Sequence, residues 1–99
     1  MVVDFYREKV GRRPTVHAAW AYLMEEIEEL KDARSPEDEL KELCDVIYTA
    51  IGYGYSRGWN VDRAFELVHQ SNMTKERTES GKVQKGDGYV PPYLGGCLR

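Results

Sequence analysis

Two acidic patterns in the first half of the chain have the composition and spacing of a metal site. The first is Glu-Glu-x-x-Glu at Glu25, Glu26 and Glu29, and the second is Glu-x-x-Asp at Glu42 and Asp45. Residues three apart in an α-helix lie on one side of it, so each pattern makes a carboxylate pair. If the two helices pack antiparallel, the pairs can face each other. Four carboxylates then suit a hard cation with oxygen ligands, Mg²⁺ first.

The alternative is that these acids lie on solvated helix faces, where Glu is common. One apolar stripe of the first acidic helix consists of Val16, Trp20, Leu23, Ile27 and Leu30, and the stripe of the second consists of Leu40, Leu43, Ile47 and Ile51. On a helical wheel Glu42 and Asp45 point nearly opposite the second stripe. The sequence therefore predicts that the acidic pairs face away from the core and are enclosed only if something else, such as a partner subunit, covers them.

Capping residues and apolar spacing predict the helices that carry these acids. A short helix over residues 2–10 ends at Gly11 to Pro14. Thr15 caps a helix that runs to about residue 33, and Ser35 caps a helix that starts at Pro36 and runs to about residue 57. Asn60 or its neighbour caps a third long helix that runs to about residue 76. No strand is predicted, so the fold class is all-α.

Two further segments carry local signals. The second long helix contains Gly52 and Gly54 in its last turns, where another backbone or a ligand can approach closely. The third long helix is expected to turn inward Ala64, Phe65, Leu67, Val68 and Met73. From about residue 78 the chain is polar and Gly-rich, and its composition favours a disordered tail over a tail docked through its aromatic residues.

Composition limits the class of protein. Ninety-nine residues with 41% apolar and 31% charged side chains indicate a single globular domain over residues 1–99 whose limited core favours oligomerisation. A net charge of −3 predicts neither nucleic-acid nor membrane binding. No secretory signal is apparent, which predicts a cytoplasmic protein. Cys44 is expected inside its helix as a small apolar residue, and no disulfide with Cys97 is expected.

The acidic patterns resemble the metal-binding pattern of the MazG-like all-α nucleoside triphosphate pyrophosphohydrolases. The stretch from Asp62 to Lys75, with its Ser-Asn-Met-Thr-Lys end, and the later Gly-Lys-Val-Gln-Lys-Gly and Tyr-Val-Pro-Pro-Tyr-Leu motifs are similar to a small single-domain branch. That branch is phosphoribosyl-ATP pyrophosphohydrolase-like. The resemblance extends roughly from Pro14 to Leu94.

This resemblance implies a helical bundle completed by homo-oligomerisation, as a dimer or a tetramer. It implies a nucleotide substrate, cleavage between the α and β phosphates, and Mg²⁺ as the cofactor, with Mn²⁺ as a substitute. The implied metal ligands are Glu26, Glu29, Glu42 and Asp45. The implied catalytic residues are Glu25, which would orient or deprotonate water, and Lys75. The implied nucleotide-binding residues are Asn72, Lys75, Lys82 and Lys85.

Three functions remain open from the sequence. The first is Mg²⁺-dependent hydrolysis of a (deoxy)nucleoside triphosphate to the monophosphate and pyrophosphate, as in clearance of the nucleotide pool. The second is hydrolysis of phosphoribosyl-ATP in histidine biosynthesis, and the third is a non-enzymatic helical dimer. For the assembly we expect at least a homodimer whose interface includes the second and third helices, with Trp20 or Tyr48 buried in it.

Overall fold

A computed structural model describes residues 1–98, so Arg99, the last residue of the predicted domain, lies outside the described part. The protein is mostly helical, which confirms the predicted all-α class. Its elements are α1 (Val2–Phe5), a π-helical turn (Tyr6–Val10), α2 (Val16–Lys31), α3 (Pro36–Ser56), α4 (Val61–Asn72), β1 (Glu76–Arg77), β2 (Val83–Gln84) and a 3₁₀ turn (Gly95–Cys97). Within residues 1–98 no helix combines the length and the apolar character needed to cross a membrane.

The long helices begin where the sequence predicts. The side chain of Thr15 accepts a hydrogen bond from the backbone of Ala18, Ser35 accepts one from Asp38, and Asn60 accepts one from Arg63, each at 3.1 Å. These bonds satisfy backbone donors that the first helical turn leaves without a partner. Local capping chemistry therefore determines the start of each long helix.

Residues Met1–Trp59 form one of two compact units, and the chain from Asn60 onward forms the other. The prediction of a single domain remains a prediction. In the first unit α2 and α3 pack as a helical hairpin across the short connection 32–35. The N-terminal segment packs on α3 through Tyr6, which is only 6% exposed. A Cβ atom at Gly52 would overlap the Tyr6 ring, so this close approach requires glycine.

The inward face of α3 is not the predicted one. The side chains of Leu40, Leu43 and Ile47 are 62%, 43% and 52% exposed, whereas Glu42 and Asp45 are half-buried. The predicted core stripe of α3 is therefore wrong for these three residues, and so is the predicted burial of Cys44, which is exposed. The physical reason is that α3 packs against its neighbours on the side that carries Glu42, Asp45 and Gly52, which leaves the apolar stripe outside.

The second unit begins with α4, which ends at Asn72 instead of residue 76. Ser, Asn and Thr near its end favour local hydrogen bonds over helix, and the Thr74 hydroxyl donates to the Ser71 carbonyl oxygen at 2.7 Å. Glu76 and Arg77 instead pair antiparallel with β2, so the expectation of no strand is wrong. The predicted inward positions of Phe65 and Met73 are also wrong, since these side chains are 75% and 72% exposed.

The segment after β2 is tied to α4. The Ser71 hydroxyl donates to the Val90 carbonyl oxygen at 2.6 Å, and the Val90 amide donates to the Thr74 hydroxyl oxygen at 2.9 Å. Further along, the Asn60 amide donates to the Cys97 carbonyl oxygen at 2.8 Å, and Cys97 is buried. Residues 78–98 therefore form an ordered part of the second unit, and the composition-based expectation of disorder is wrong.

This docking generates a prediction. Thr74→Val keeps the side-chain shape but removes the acceptor of the Val90 amide, and we expect a loss of about 1 kcal/mol in the free energy of unfolding. Amide hydrogen exchange at Val90 should accelerate about tenfold. Ser80→Ala, an exposed change in the hairpin loop, is the control and should leave the Val90 amide unaffected. Unchanged exchange in Thr74→Val would contradict the docking.

Candidate functional site

The helical hairpin brings three of the predicted ligands together. Glu26 and Glu29 lie one turn apart on α2, and Glu42 lies on α3. Each contributes one carboxylate oxygen to a group of atoms that all lie within 4.8 Å of one another. The Glu42 side chain is only 12% exposed. Contrary to the expectation that a partner must cover the acids, the packing of α2 on α3 itself partly encloses them.

The electrostatics of this cluster are unfavourable without a cation. One oxygen of Glu26, Oε2, is buried and has no hydrogen-bond partner in the part of the chain that the structure describes. Burial is the largest cause that raises the pKa of Glu26, and together with a hydrogen bond to Glu29 and the charges of Glu29, Asp45 and Glu42 it brings that pKa to about 7. An orphaned carboxylate oxygen among other carboxylates fits a divalent cation, and the all-oxygen donor set fits Mg²⁺ or Mn²⁺.

Asp45, the fourth predicted ligand, lies one turn beyond Glu42 on α3. It lies outside the group of three but close enough for its charge to raise the pKa of Glu26. Lys41, which the sequence analysis did not single out, contacts both α3 acids. Its Nζ atom lies 2.8 Å from Asp45 Oδ2 and 3.4 Å from Glu42 Oε1, and these two acids raise its pKa. The i, i+4 spacing of Lys41 and Asp45 is the sequence feature that could have predicted this contact.

A cavity of about 470 Å³ adjoins the carboxylates, and we call it the aromatic cavity. The acids Glu25, Glu26 and Asp45 form part of its wall, so Glu25, itself exposed, lies beside the cluster. The remaining lining residues are Phe5, Tyr6, Val10, Tyr22, Tyr48 and Thr49. These residues cannot be grouped from the sequence alone, because they come from three separate segments of the chain.

A smaller cavity of about 190 Å³ shares Tyr6, Val10 and Tyr22 with the aromatic cavity. We call it the arginine cavity, because Arg12 and Arg13 line it. The Arg13 guanidinium lies 5.0 Å from the centre of the Tyr55 ring, a cation–π contact. Within residues 1–98 neither arginine forms a salt bridge, so this cavity carries positive charge without a carboxylate partner.

The other predicted residues lie in the second unit. Asn72 ends α4, and the backbone amide of Lys75 donates to its carbonyl oxygen at 3.1 Å. Lys82 lies in the hairpin loop, where its amide donates to the Thr78 hydroxyl oxygen at 3.0 Å. Lys85 follows β2 and places Nζ 5.1 Å from the centre of the Tyr89 ring. The nucleotide-binding roles of these four residues remain predictions.

Comparison with known families explains the acidic hairpin. A sequence model described as phosphoribosyl-ATP pyrophosphohydrolase matches residues 4–72, which is more than half of the chain. The chain belongs to this family. The family is part of the MazG-like all-α nucleoside triphosphate pyrophosphohydrolases, so the predicted resemblance is confirmed. Pyrophosphohydrolases of this superfamily depend on a divalent metal. No curated protein matches the chain.

The family match includes the carboxylates and both cavities but not the lysines of the second unit. It begins before Phe5 and ends at Asn72, so it includes the N-terminal segment, all four carboxylates and the lining of both cavities. Lys75, Lys82 and Lys85 lie beyond it. As a member of the phosphoribosyl-ATP pyrophosphohydrolase family, the protein is a phosphoanhydride pyrophosphohydrolase, and a nucleotide substrate is consistent with the family.

The cluster predicts a specific response to metal. Glu26→Gln removes one charge, and its amide can donate to the neighbouring carboxylates, so without divalent ions we expect a higher melting temperature than in the unmodified protein. At a hundredfold excess of Mg²⁺ over its Kd, the unmodified protein should gain about 2.7 kcal/mol, and Glu26→Gln should gain much less.

Thermal melting with and without Mg²⁺, at constant ionic strength, measures both effects. Glu28→Gln is the control on the same helix, because Glu28 is outside the cluster and its ion pair with Lys31 is solvent-exposed. Equal Mg²⁺ responses in all three proteins would exclude the metal site.

Proposed function

We propose that the protein hydrolyses a (deoxy)nucleoside triphosphate between the α and β phosphates in a Mg²⁺-dependent reaction. The products are a nucleoside monophosphate and pyrophosphate. The observation that carries this proposal is the group of three carboxylates with the unpartnered buried oxygen of Glu26. An acidic cluster repels a polyphosphate, so it can serve phosphoanhydride cleavage only together with a cation.

Each group has a distinct task in this proposal. Glu26, Glu29, Glu42 and Asp45 would hold the metal. When bound, Mg²⁺ would neutralise phosphate oxygens and lower the pKa of water. Glu25 would orient the attacking water and accept its proton, since it lies at the cavity wall beside the cluster. Asn72, Lys75, Lys82 and Lys85 would bind the nucleotide and its phosphates, because the amide donates hydrogen bonds and the lysines supply positive charge.

Lys41 has a different proposed task. Its ammonium group lies against Asp45 and Glu42, and its side chain is 64% exposed. An exposed lysine can move at small cost, because surface ion pairs contribute little to stability. We propose that Lys41 offsets the charge of the α3 acids when no metal is bound and moves away when metal binds.

Hydrolysis of phosphoribosyl-ATP is the second candidate, and two observations favour it. The matching family model carries that description, and the arginine cavity lies next to the aromatic cavity. Phosphoribosyl-ATP carries a further phosphate besides its triphosphate, and that phosphate needs positive charge at a distance from the acids. Arg12 and Arg13 could supply it. Because the chain belongs to a pyrophosphohydrolase family, no observation favours the third expectation, a non-enzymatic helical dimer.

One experiment distinguishes the two candidate substrates. Pyrophosphate release is measured over a panel of nucleoside triphosphates, deoxynucleoside triphosphates and phosphoribosyl-ATP, with Mg²⁺ and with EDTA. We expect Mg²⁺-dependent release, and Glu42→Gln should reduce turnover at least about 100-fold, while Glu28→Gln changes it little. Specificity for phosphoribosyl-ATP, reduced by Arg13→Gln, would support the second candidate. No release from any substrate would refute both candidates.

We also propose that the protein is a homo-oligomer, at least a dimer, and acts in the cytoplasm where nucleotides are made. The outward face of α3 exposes Leu40, Leu43 and Ile47, and a cavity of about 330 Å³ lies beside it, lined partly by Leu30 and Pro36. Contiguous apolar surface of this kind is typical of subunit interfaces. A second copy would cover an apolar stripe that the hairpin itself leaves exposed.

A charged substitution on the outward face of α3 tests the proposed assembly. We expect light scattering to give at least a dimer at micromolar concentration, and Ile47→Asp should shift it towards the monomer, because burying an unpaired charge is costly. Val83→Asp, at a similarly exposed apolar residue in the hairpin, is the control and should keep the assembly. A fully active monomer would refute the proposal.

A further inference from the structure

We propose that the aromatic cavity binds the base of the nucleotide, with Phe5, Tyr22 and Tyr48 as its contact surfaces. This inference rests on the proposed hydrolysis, because it assumes that the phosphates are cleaved at the adjoining carboxylates. The cavity and the cluster share Glu26, and Asp45 lines the same wall. A single ligand can therefore extend from one to the other without leaving the first unit.

The size and chemistry of the cavity match an uncharged, flat group. Its volume of about 470 Å³ lies within the range of about 300–1,000 Å³ that is typical of small-molecule sites. Among the residues that the structure describes, the charged lining residues are Glu25, Glu26 and Asp45, so the cavity side chains themselves supply no positive charge to hold a phosphate chain away from the metal site. Aromatic side chains favour a base instead, because stacking on a base needs a π-face and little hydrogen bonding.

The aromatic surfaces are accessible and held in place. Phe5 is 40% exposed and Tyr22 is 51% exposed, so both retain surface for a ligand. The rings of Phe5 and Tyr48 meet edge to face, with centroids 5.3 Å apart and an angle of 79° between their planes. Such contacts restrict ring orientation before a ligand arrives, which lowers the entropic cost of binding.

Tyr6 acts as a positioning residue for this wall. It is 6% exposed, and its ring lies 5.4 Å from the Phe5 ring, so it supports Phe5 from behind. The absence of a side chain at Gly52 makes room for the Tyr6 ring. The close approach of the N-terminal segment to α3 therefore determines the position of the Phe5 side chain in the cavity.

Product inhibition tests the proposal, because the two products differ in whether they contain a base. Tyr22→Leu and Tyr48→Leu remove a stacking surface and keep an apolar side chain. We expect the inhibition constant of the nucleoside monophosphate to rise about tenfold or more, which is the scale of one lost base–aromatic stack. The inhibition constant of pyrophosphate should stay within about twofold, since pyrophosphate has no base to stack.

Trp20→Leu is the matched control. Trp20 lies on the same helix as Tyr22 and has the same exposure of 51%, but it does not line the cavity. It should leave both constants unchanged. Equal increases for the monophosphate and pyrophosphate in the Tyr22 and Tyr48 variants, or no increase in either, would overturn the proposal.

A binding measurement keeps this inference separate from the proposed function. Nucleosides are titrated into the unmodified protein, and the ring signals of Phe5, Tyr22 and Tyr48 are followed by NMR. We expect these signals to shift and those of Trp20 to stay constant, and Gly52→Ala should weaken the shifts by displacing Tyr6. Inactivity on every nucleotide would refute the function alone, whereas unshifted cavity rings with every nucleoside would refute the base site.

Discussion

Mutual repulsion among the carboxylates of Glu26, Glu29 and Glu42 is the constraint on which the rest of the structure depends. The packing of α2 on α3 holds oxygen atoms of all three within 4.8 Å of one another and leaves Glu26 Oε2 without a partner. Charges held this close weaken the folded state unless a cation or a proton compensates. Metal binding at this cluster would therefore be coupled to the stability of the hairpin, because only the packed helices assemble the donor set.

The same packing explains the exposed apolar face. A helix can turn only one side towards its neighbour, and α3 turns the side that carries Glu42 and Gly52. Leu40 and Ile47, on the other side, are then exposed. The first unit buries only a few apolar residues, namely Val2, Tyr6 and Ala19. When carboxylates occupy the interface between two helices, fewer apolar contacts are left for the core of the single chain. A second subunit would bury the exposed apolar face of α3 and so add apolar contacts.

The N-terminal segment contributes to both cavities beside the carboxylates. Although it is short, it supplies Phe5, Tyr6 and Val10 to the aromatic cavity and is followed by the arginines of the second cavity. Membership of the phosphoribosyl-ATP pyrophosphohydrolase family establishes the class of reaction but not the substrate. In the proposed reaction, the arginines of the second cavity would distinguish a simple nucleotide from one that carries a further phosphate.

The sequence by itself determined the features that depend on neighbouring residues. Capping side chains predicted the starts of α2, α3 and α4, and the spacing of the acids predicted which carboxylates share a helix side. Only the tertiary structure decided which side of α3 faces inward, that Lys41 contacts Asp45, and that Phe5, Tyr22 and Tyr48 meet in one cavity. Helical periodicity specifies which residues share a face, but the direction of that face depends on contacts between segments far apart in the chain. Those contacts depend on close packing at residues such as Gly52, whose partner Tyr6 cannot be identified from local sequence.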